Sequence, residues 1–243
     1  MTEESLGRKE EKPMRIGKVG WALGKAAAVG AVAVGAYAFA LRPWHLKWGA
    51  TSEEVNRDLP GDDLVPNPDH QATHAITINA SPARVWPWLA QIGQNRGGFY
   101  SYSWLENLAG CEIHNADHVV PEWQTIRTGD VLWLHPRETP LPVLFAEPDR
   151  ALVVGGATPV EFEGATEVEG GTWCFFLEPV DEHKTRLIVR IRWSRKPGFR
   201  SRFYDYFLLE PAHFVMERKM LLGIKGRVEA LAESSAPQAI RAA

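Results

Sequence analysis

Beyond Trp123 the apolar residues of this 243-residue chain first recur every second position and then every third or fourth, and that switch limits the folds open to it. Period-two patterning predicts strands at residues 131–135, 143–147, 151–155, 172–177 and 186–193. Gly129-Asp130, Pro148-Asp149, Gly170-Gly171 and Asp181-Glu182 supply the turns. Between the third and fourth strands, residues 157–170 carry Glu161, Glu163, Glu167 and Glu169 and read as an exposed acidic loop. Residues 203–232 then place Phe207, Phe214, Met216, Leu221, Ile224 and Val228 at helical spacing, with Pro211 expected to begin or kink the helix. Short strands joined by tight turns form an antiparallel meander, and the long helix must bury its apolar stripe against it.

Ahead of the meander, residues 74–78 alternate as a strand. Ser81-Pro82 offers an N-cap followed by proline at the first helical position. A helix over 82–92 follows, with Val85, Trp86, Leu89 and Ile92 on one face and Pro87 tolerable only near its start. Gly97-Gly98 breaks the chain, and residues 103–108 read as a short second helix. The run from 93 to 124 mixes aromatic rings, amides, acids and histidines with no clean period. Such a density of ring faces and hydrogen-bonding groups points to the lining of a ligand site.

The N-terminal segment is built differently. Residues 1–18 are charged and nearly devoid of apolar side chains, the composition of a disordered tail. Residues 19–41 are apolar with Lys25 as the one charge, which just reaches bilayer length. A membrane anchor is the preferred reading because the stretch outruns a signal-peptide core of about 7–15 residues. Cleavage after the small residues of Ala36-Tyr37-Ala38 or Ala38-Phe39-Ala40 is the alternative, and would leave a secreted protein. Six Lys/Arg before the uncharged run 26–41 against Arg42 and Lys47 after it place the N-terminus in the cytoplasm and the domain outside. Residues 42–69, with prolines at 60, 66 and 68, read as a linker or wrapping arm whose Trp44 and Trp48 sit near the membrane interface. The folded domain is expected over 70–232 and a fraying tail over 233–243.

With 45% hydrophobic residues and a net charge of -3, the chain is that of a folded protein with no basic surface to suit a nucleic-acid partner. Cys111 and Cys174 are too few for a disulfide framework and are expected as two buried thiols. No P-loop, dinucleotide fingerprint or nucleophile elbow occurs, so no cofactor is expected. His114, Asp117, His118 and Glu122 fall within nine residues but lack the Glu of the H-E-x-x-H motif, and no metal site is assigned. Oligomeric state leaves no mark on the sequence.

The order strand, helix, short helix, antiparallel strands and long C-terminal helix resembles the START-like or SRPBCC superfamily, particularly its polyketide cyclase/dehydrase and lipid-transport-like members. The resemblance rests on residues 76–89 (ITINASPARVWPWL), the run from 97 to 122, Gly129-Asp130 and residues 210–219 (EPAHFVMERK), and spans about 70–232. It implies an α+β helix-grip fold, a curved antiparallel sheet wrapped around a long C-terminal helix and here preceded by a transmembrane helix. It also implies a deep cavity for an apolar small molecule or lipid, without fixing one reaction.

Candidate contacts within that cavity are Tyr100, Tyr102, Trp104, Glu106, Asn107, His114 and Asn115 from the mixed run, with Trp133, His135 and Trp173 from the strands. Tyrosine pairs an apolar wall with a phenolic donor, which suits a carbonyl-bearing ligand. Glu106 and His114 are the candidate acid–base groups if the protein is an enzyme. On the last strand Leu187, Val189, Ile191 and Trp193 should face the helix, leaving Arg190 and Arg192 on the outer surface. His213 reads as a core or surface histidine.

Overall fold

The computed structural model describes residues 16–162, 165–194 and 203–234. The chain divides into two compact units, one ending at Trp44 and the other beginning at His45. The first holds helix α1 (Ile16–Ala36), a π-helical turn over Tyr37–Leu41 and the start of a one-turn α2 (Arg42–His45). Helix α1 thus begins three residues before the end of the segment read as a disordered tail. The span Leu23–His45 has 23 residues, roughly 34 Å of helix at 1.5 Å per residue, and is apolar enough to cross a membrane. None of its apolar window is buried.

The second unit is a six-stranded antiparallel sheet in the order β1-β6-β5-β4-β3-β2. Its strands are β1 (His70–Ile78), β2 (Val131–Leu132), β3 (Leu141–Glu147), β4 (Ala151–Phe162), β5 (Ala165–Asp181) and β6 (Lys184–Ser194). Helices α4 (Pro82–Ala90) and α5 (Ser103–Leu108) lie between β1 and β2 in sequence, and α6 (Glu210–Ser234) closes the fold. This is the helix-grip architecture, with α6 laid along the concave face of the sheet. Ile78, Val154, Phe175, Leu187 and Val189 from the strands meet Leu89 of α4 and Leu221 and Ile224 of α6 in one core. Each such side chain taken out of water contributes about 1.5–3 kcal/mol.

Local sequence accounts for the elements. Pro82 opens α4 at a position where its missing N–H costs nothing, although Ser81, at the N-cap, makes no side-chain capping bond. Pro211 lacks the N–H that would extend a regular helix backwards, and a π-turn over Asp205–Leu209 precedes α6. Gly223 lets α6 approach the Tyr100 backbone, because a Cβ there would collide with the Tyr100 carbonyl oxygen.

Several expectations are corrected. The acidic stretch 157–170 is not a loop on either side of residues 163–164, since β4 and β5 continue into it as paired strands. Gly170-Gly171 is not a turn. Gly171 pairs with Gly156 on one side and Trp193 on the other, and a Cβ on it would stand 2.5 Å from the Arg192 carbonyl oxygen. These glycines permit close strand approach rather than chain reversal. Strand β2 stops at Leu132, leaving Trp133 and His135 beyond it. Trp48 is half-buried in the second unit, edge-on to Phe214 at 6.3 Å and beneath the Arg218 guanidinium at 5.0 Å. Both cysteines are free thiols, but only Cys174 is buried. The tail segments 1–15 and 235–243 lie outside the described residues.

The convex face of the sheet is covered as well. Residues 46–66 wrap over it, carrying α3 (Ser52–Asn56) and a 3-10 turn (Asp62–Leu64), and Leu59 packs with Ala75, Val153, Cys174 and Ile188. Thr51 and Glu54 cap α3 reciprocally, and Glu54 also takes two hydrogen bonds from Arg186 of β6. Arg190 does lie on this outer face, but it is 2% exposed rather than at the surface. Its guanidinium donates to Asp62, to Thr73 Oγ1 and to the backbone carbonyls of Glu54, Val55 and Arg57. A buried guanidinium is tolerated only with its donors satisfied, so the arm is part of the core rather than an ornament on it. Asp62→Ala is expected to lower stability by about 3 kcal/mol in urea unfolding, because it strands the Arg190 charge. A loss below 0.5 kcal/mol would show that the arm is not fixed through this pair.

Candidate functional site

Between the concave face of the sheet and α6 lies a cavity of about 480 Å³, within the usual range of small-molecule sites. Phe99, Leu134, Leu141, Val154, Ile191 and Met220 give it an apolar wall, and Trp173 and Trp193 close one side. Gly155, Gly156, Gly170 and Gly171 line it where β4 and β5 run on together, so bare backbone replaces side chains there and leaves the space open. Its polar groups are few: Ser101, Glu106, Thr172, Arg192, His213 and Glu217.

Glu217 is the best-held of these. Its side chain is 1% exposed, its Oε2 lies 2.5 Å from His74 Nδ1, and its Oε1 accepts from Trp173 Nε1 at 2.8 Å. The other ring nitrogen of His74 meets the His45 carbonyl at 2.7 Å, so that nitrogen carries a proton. Burial alone would raise the Glu217 carboxyl, yet His213, His74 and the Trp173 hydrogen bond together bring it below the ordinary carboxylate value. Burial likewise works against charge on His74, and the Glu217 carboxylate outweighs it and raises the imidazole. The pair is therefore imidazolium and carboxylate. His213 Nδ1 stands 3.7 Å from Glu217 Oε2, with its side chain 22% exposed on the cavity it lines. Desolvation first, opposed by Glu217 and helped by the nearby histidines, lowers its pKa and keeps it neutral at pH 7.

About two turns nearer the start of α6, Glu210 Oε1 meets His70 Nδ1 at 2.8 Å, and His70 stacks on Trp193 at 3.7 Å. Both histidines come from the same face of β1, four residues apart, and both glutamates from α6, seven apart. This second pair buttresses the tryptophan wall.

Glu106 has the opposite environment. It is 8% exposed on α5, it lines the cavity, and its Oε2 has no hydrogen-bond partner among the described residues. Desolvation raises its pKa. Desolvation shifts such a carboxyl toward its protonated form, in which it can donate to a ligand acceptor.

Of the residues singled out from sequence, Glu106 and Trp173 line this cavity. The others stand elsewhere. Tyr100 is 1% exposed, with its hydroxyl donating to the Trp88 carbonyl at 3.0 Å and its ring edge-on to Trp88. Burial, as the largest cause, raises its phenol well above the ordinary value. Asn107 exchanges two hydrogen bonds with the backbone of Ile113, and Asn115 accepts from Tyr100 N–H and donates to the Ser101 carbonyl. These amides staple the irregular run into shape. Tyr102 lies under Lys219 at 5.7 Å, and Trp104 is 67% exposed. His114 is exposed, and His135 meets the Ala109 carbonyl at 3.3 Å. Along β2 and the residues that follow it, Leu132 and Leu134 pack with the core, while Val131 and Trp133 are exposed. Among the described residues no three His, Cys, Asp or Glu side chains converge to hold a metal ion.

Sequence reading missed His70, His74, Glu210 and Glu217. The available signal was paired spacing: histidines four apart on one strand face and glutamates seven apart on one helix stripe, polar residues on faces otherwise meant for the core.

No family model matches the sequence, and no match is found among curated proteins. Comparison with solved structures returns a protein of Nitrosospira multiformis at 13% identity and TM-score 0.39, covering 68% of this chain and 99% of that one. A protein from Arthrobacter aurescens matches at 16% and 0.36, covering 72% and 92%. The Zhui aromatase/cyclase of Streptomyces sp. R1128 matches at 12% and 0.32, covering 67% and 95%. At these scores the likeness carries no argument about activity.

The charged pair sets a pH dependence. His74, raised above 6.5, contributes stability that is complete below that value and is lost as pH rises through its folded pKa; Glu217, lowered below 4.5, contributes stability that is lost as pH falls through its own. Denaturant midpoints are therefore expected to fall from pH 6 towards pH 9, and the fall should vanish in Glu217→Gln. An equal fall in that variant would contradict the assignment.

Proposed function

We propose that this protein is a membrane-tethered member of the START-like superfamily that holds a hydrophobic small molecule, lipid-like or polyketide-like, in the cavity between the sheet and α6. The observation that carries the reading is the cavity of about 480 Å³, lined mainly by apolar and aromatic side chains with a few convergent polar groups. An empty apolar space of that size forfeits dispersion contacts along its whole lining, which a bound molecule restores. The span Leu23–His45 supports the tether by its length and composition. In the orientation favoured by the distribution of lysine and arginine, the domain stands on the extracytoplasmic side. Release as a secreted protein is the outcome if the segment is cleaved.

Native mass spectrometry of the full chain, released from detergent, is the direct test. A co-purifying apolar molecule is expected, and Gly156→Leu, which puts a side chain at the cavity wall, should lose it while folding normally. Protein that is ligand-free from every source and takes up no apolar compound would overturn the reading.

One observation favours a second reading, a cofactor-independent cyclase or dehydratase. Glu106 is a buried carboxyl with a raised pKa and an unpartnered oxygen at a cavity wall, the environment of a general acid. Under this reading Glu106→Gln should lower turnover of an accepted substrate by 10²-fold or more and leave KM nearly unchanged. Unchanged turnover would leave the binding role alone standing.

A further inference from the structure

Most of the charged groups around the cavity are spoken for. Glu217 receives a hydrogen bond on each oxygen, from His74 and from Trp173. Arg192 of β6 is the cation on the wall, but its guanidinium is engaged on the convex side, with Nη1 3.2 Å from Asp62 and Nη2 donating to the Pro66 carbonyl at 3.1 Å. His213 is held beside Glu217 and between the Trp173 and Trp193 rings. Ser101 donates its hydroxyl proton to the Met216 carbonyl. Of the cavity-lining residues, Glu106 Oε2 and Arg192 Nε are the buried polar atoms without a hydrogen-bond partner among the described residues, and Glu106 is the one whose side chain makes no other polar contact.

We infer that the cavity selects an uncharged, largely apolar molecule carrying one hydrogen-bond acceptor, a ketone or alcohol rather than a carboxylate or phosphate, with Glu106 as the donor that orients it. The inference rests on the proposed binding role and narrows it. An anionic head group entering here would face the Glu217 carboxylate, and the cation on the wall, Arg192, already holds Asp62 and the Pro66 carbonyl through its two Nη atoms, so most of the anion's desolvation would go uncompensated. A carbonyl or hydroxyl oxygen loses little water and supplies the partner that Glu106 Oε2 lacks. Leaving that acid unpaired would cost about 1–3 kcal/mol, roughly a 5- to 150-fold change in affinity.

The pH dependence has a definite sense. Glu106 donates only while protonated, so affinity for an acceptor ligand should fall as pH rises past its raised pKa. The other titratable groups facing the cavity or packed on α5 are Glu217 and His213 of α6, Arg192 of β6 and Cys111 just after α5. A Glu106→Gln variant separates Glu106 from all of these, because the amide keeps the donor and the volume and does not titrate.

The experiment is isothermal titration of the full chain in detergent with four ligands of one chain length: 2-decanone, 1-decanol, decanoate and decylammonium. The ketone and alcohol are expected to bind at least tenfold more tightly than decanoate at pH 7. Ketone affinity should fall at least fivefold between pH 5 and pH 9, and Glu106→Gln should hold its affinity across that range. Decanoate binding as tightly as the ketone would overturn the inference while leaving the binding role intact. Tighter binding of decylammonium would overturn it too, by making Glu106 an ion-pair partner. Binding of none of the four would overturn the cavity reading itself and this inference with it. The wild-type comparison decides the matter even if the variant fails to fold.

Discussion

The buried pairing of Glu217 with His74 is the contact on which the rest of the domain turns. It crosses 143 residues of sequence to fix α6 against β1, and through Trp173 Nε1 it reaches β5 as well. One carboxylate thus binds the helix to two strands that are not neighbours, with β6 between them. A helix held by apolar contact alone would settle as close to the sheet as its side chains allow. Held at Glu217, with glycines on β4 and β5 instead of side chains, it leaves a gap, and the gap is the cavity. Truncating one partner of such a pair leaves an uncompensated buried charge, so the fold and the site stand or fall together.

A second constraint follows from having a single sheet. Both faces of β6 must be covered, and α6 can cover only one. The arm over 46–66 covers the other, using Asp62 and the carbonyls of Glu54, Val55 and Arg57 to satisfy Arg190, with Thr73 Oγ1 of β1 completing the set. Polar satisfaction therefore organises both sides of the sheet, around a glutamate within and an arginine without. The carbonyls that Arg190 uses are those left open at the C-terminal end of α3, and the Pro66 carbonyl serves Arg192.

Much of the fold was legible, and the reasons are local. Period-two alternation located β3, β5 and β6, helical spacing located α4, α5 and α6, and the Asp181-Glu182 turn is where β5 gives way to β6. Errors arose where one residue type serves two ends. Gly170-Gly171 has turn composition, but its glycines answer to close strand approach. The acids between 157 and 170 suggest a loop, yet Glu161, Glu167 and Glu169 lie on paired strands whose cross-strand register no single window records. The site was less legible for the same reason. The amide-rich run before the sheet looks like a ligand wall because amides and rings are common currency there, whereas Asn107 and Asn115 turn out to satisfy loop backbone. The spacing of His70 with His74 and of Glu210 with Glu217 hints at paired polar positions, but what joins His74 to Glu217 is a contact 143 residues apart. Glu106 could be named from sequence, but its burial and its unpartnered oxygen could not.

The central claim is that the space between sheet and α6 is a ligand site rather than a packing gap. Crystallography of the full chain in the presence of 2-decanone tests it most directly. The account requires one continuous stretch of ligand density along the Trp173 and Met220 walls, with its oxygen within 3.2 Å of a Glu106 carboxyl oxygen, the outer range of a good hydrogen bond. A cavity filled by a chain of ordered waters, or closed by its own side chains with the ligand absent, would contradict it.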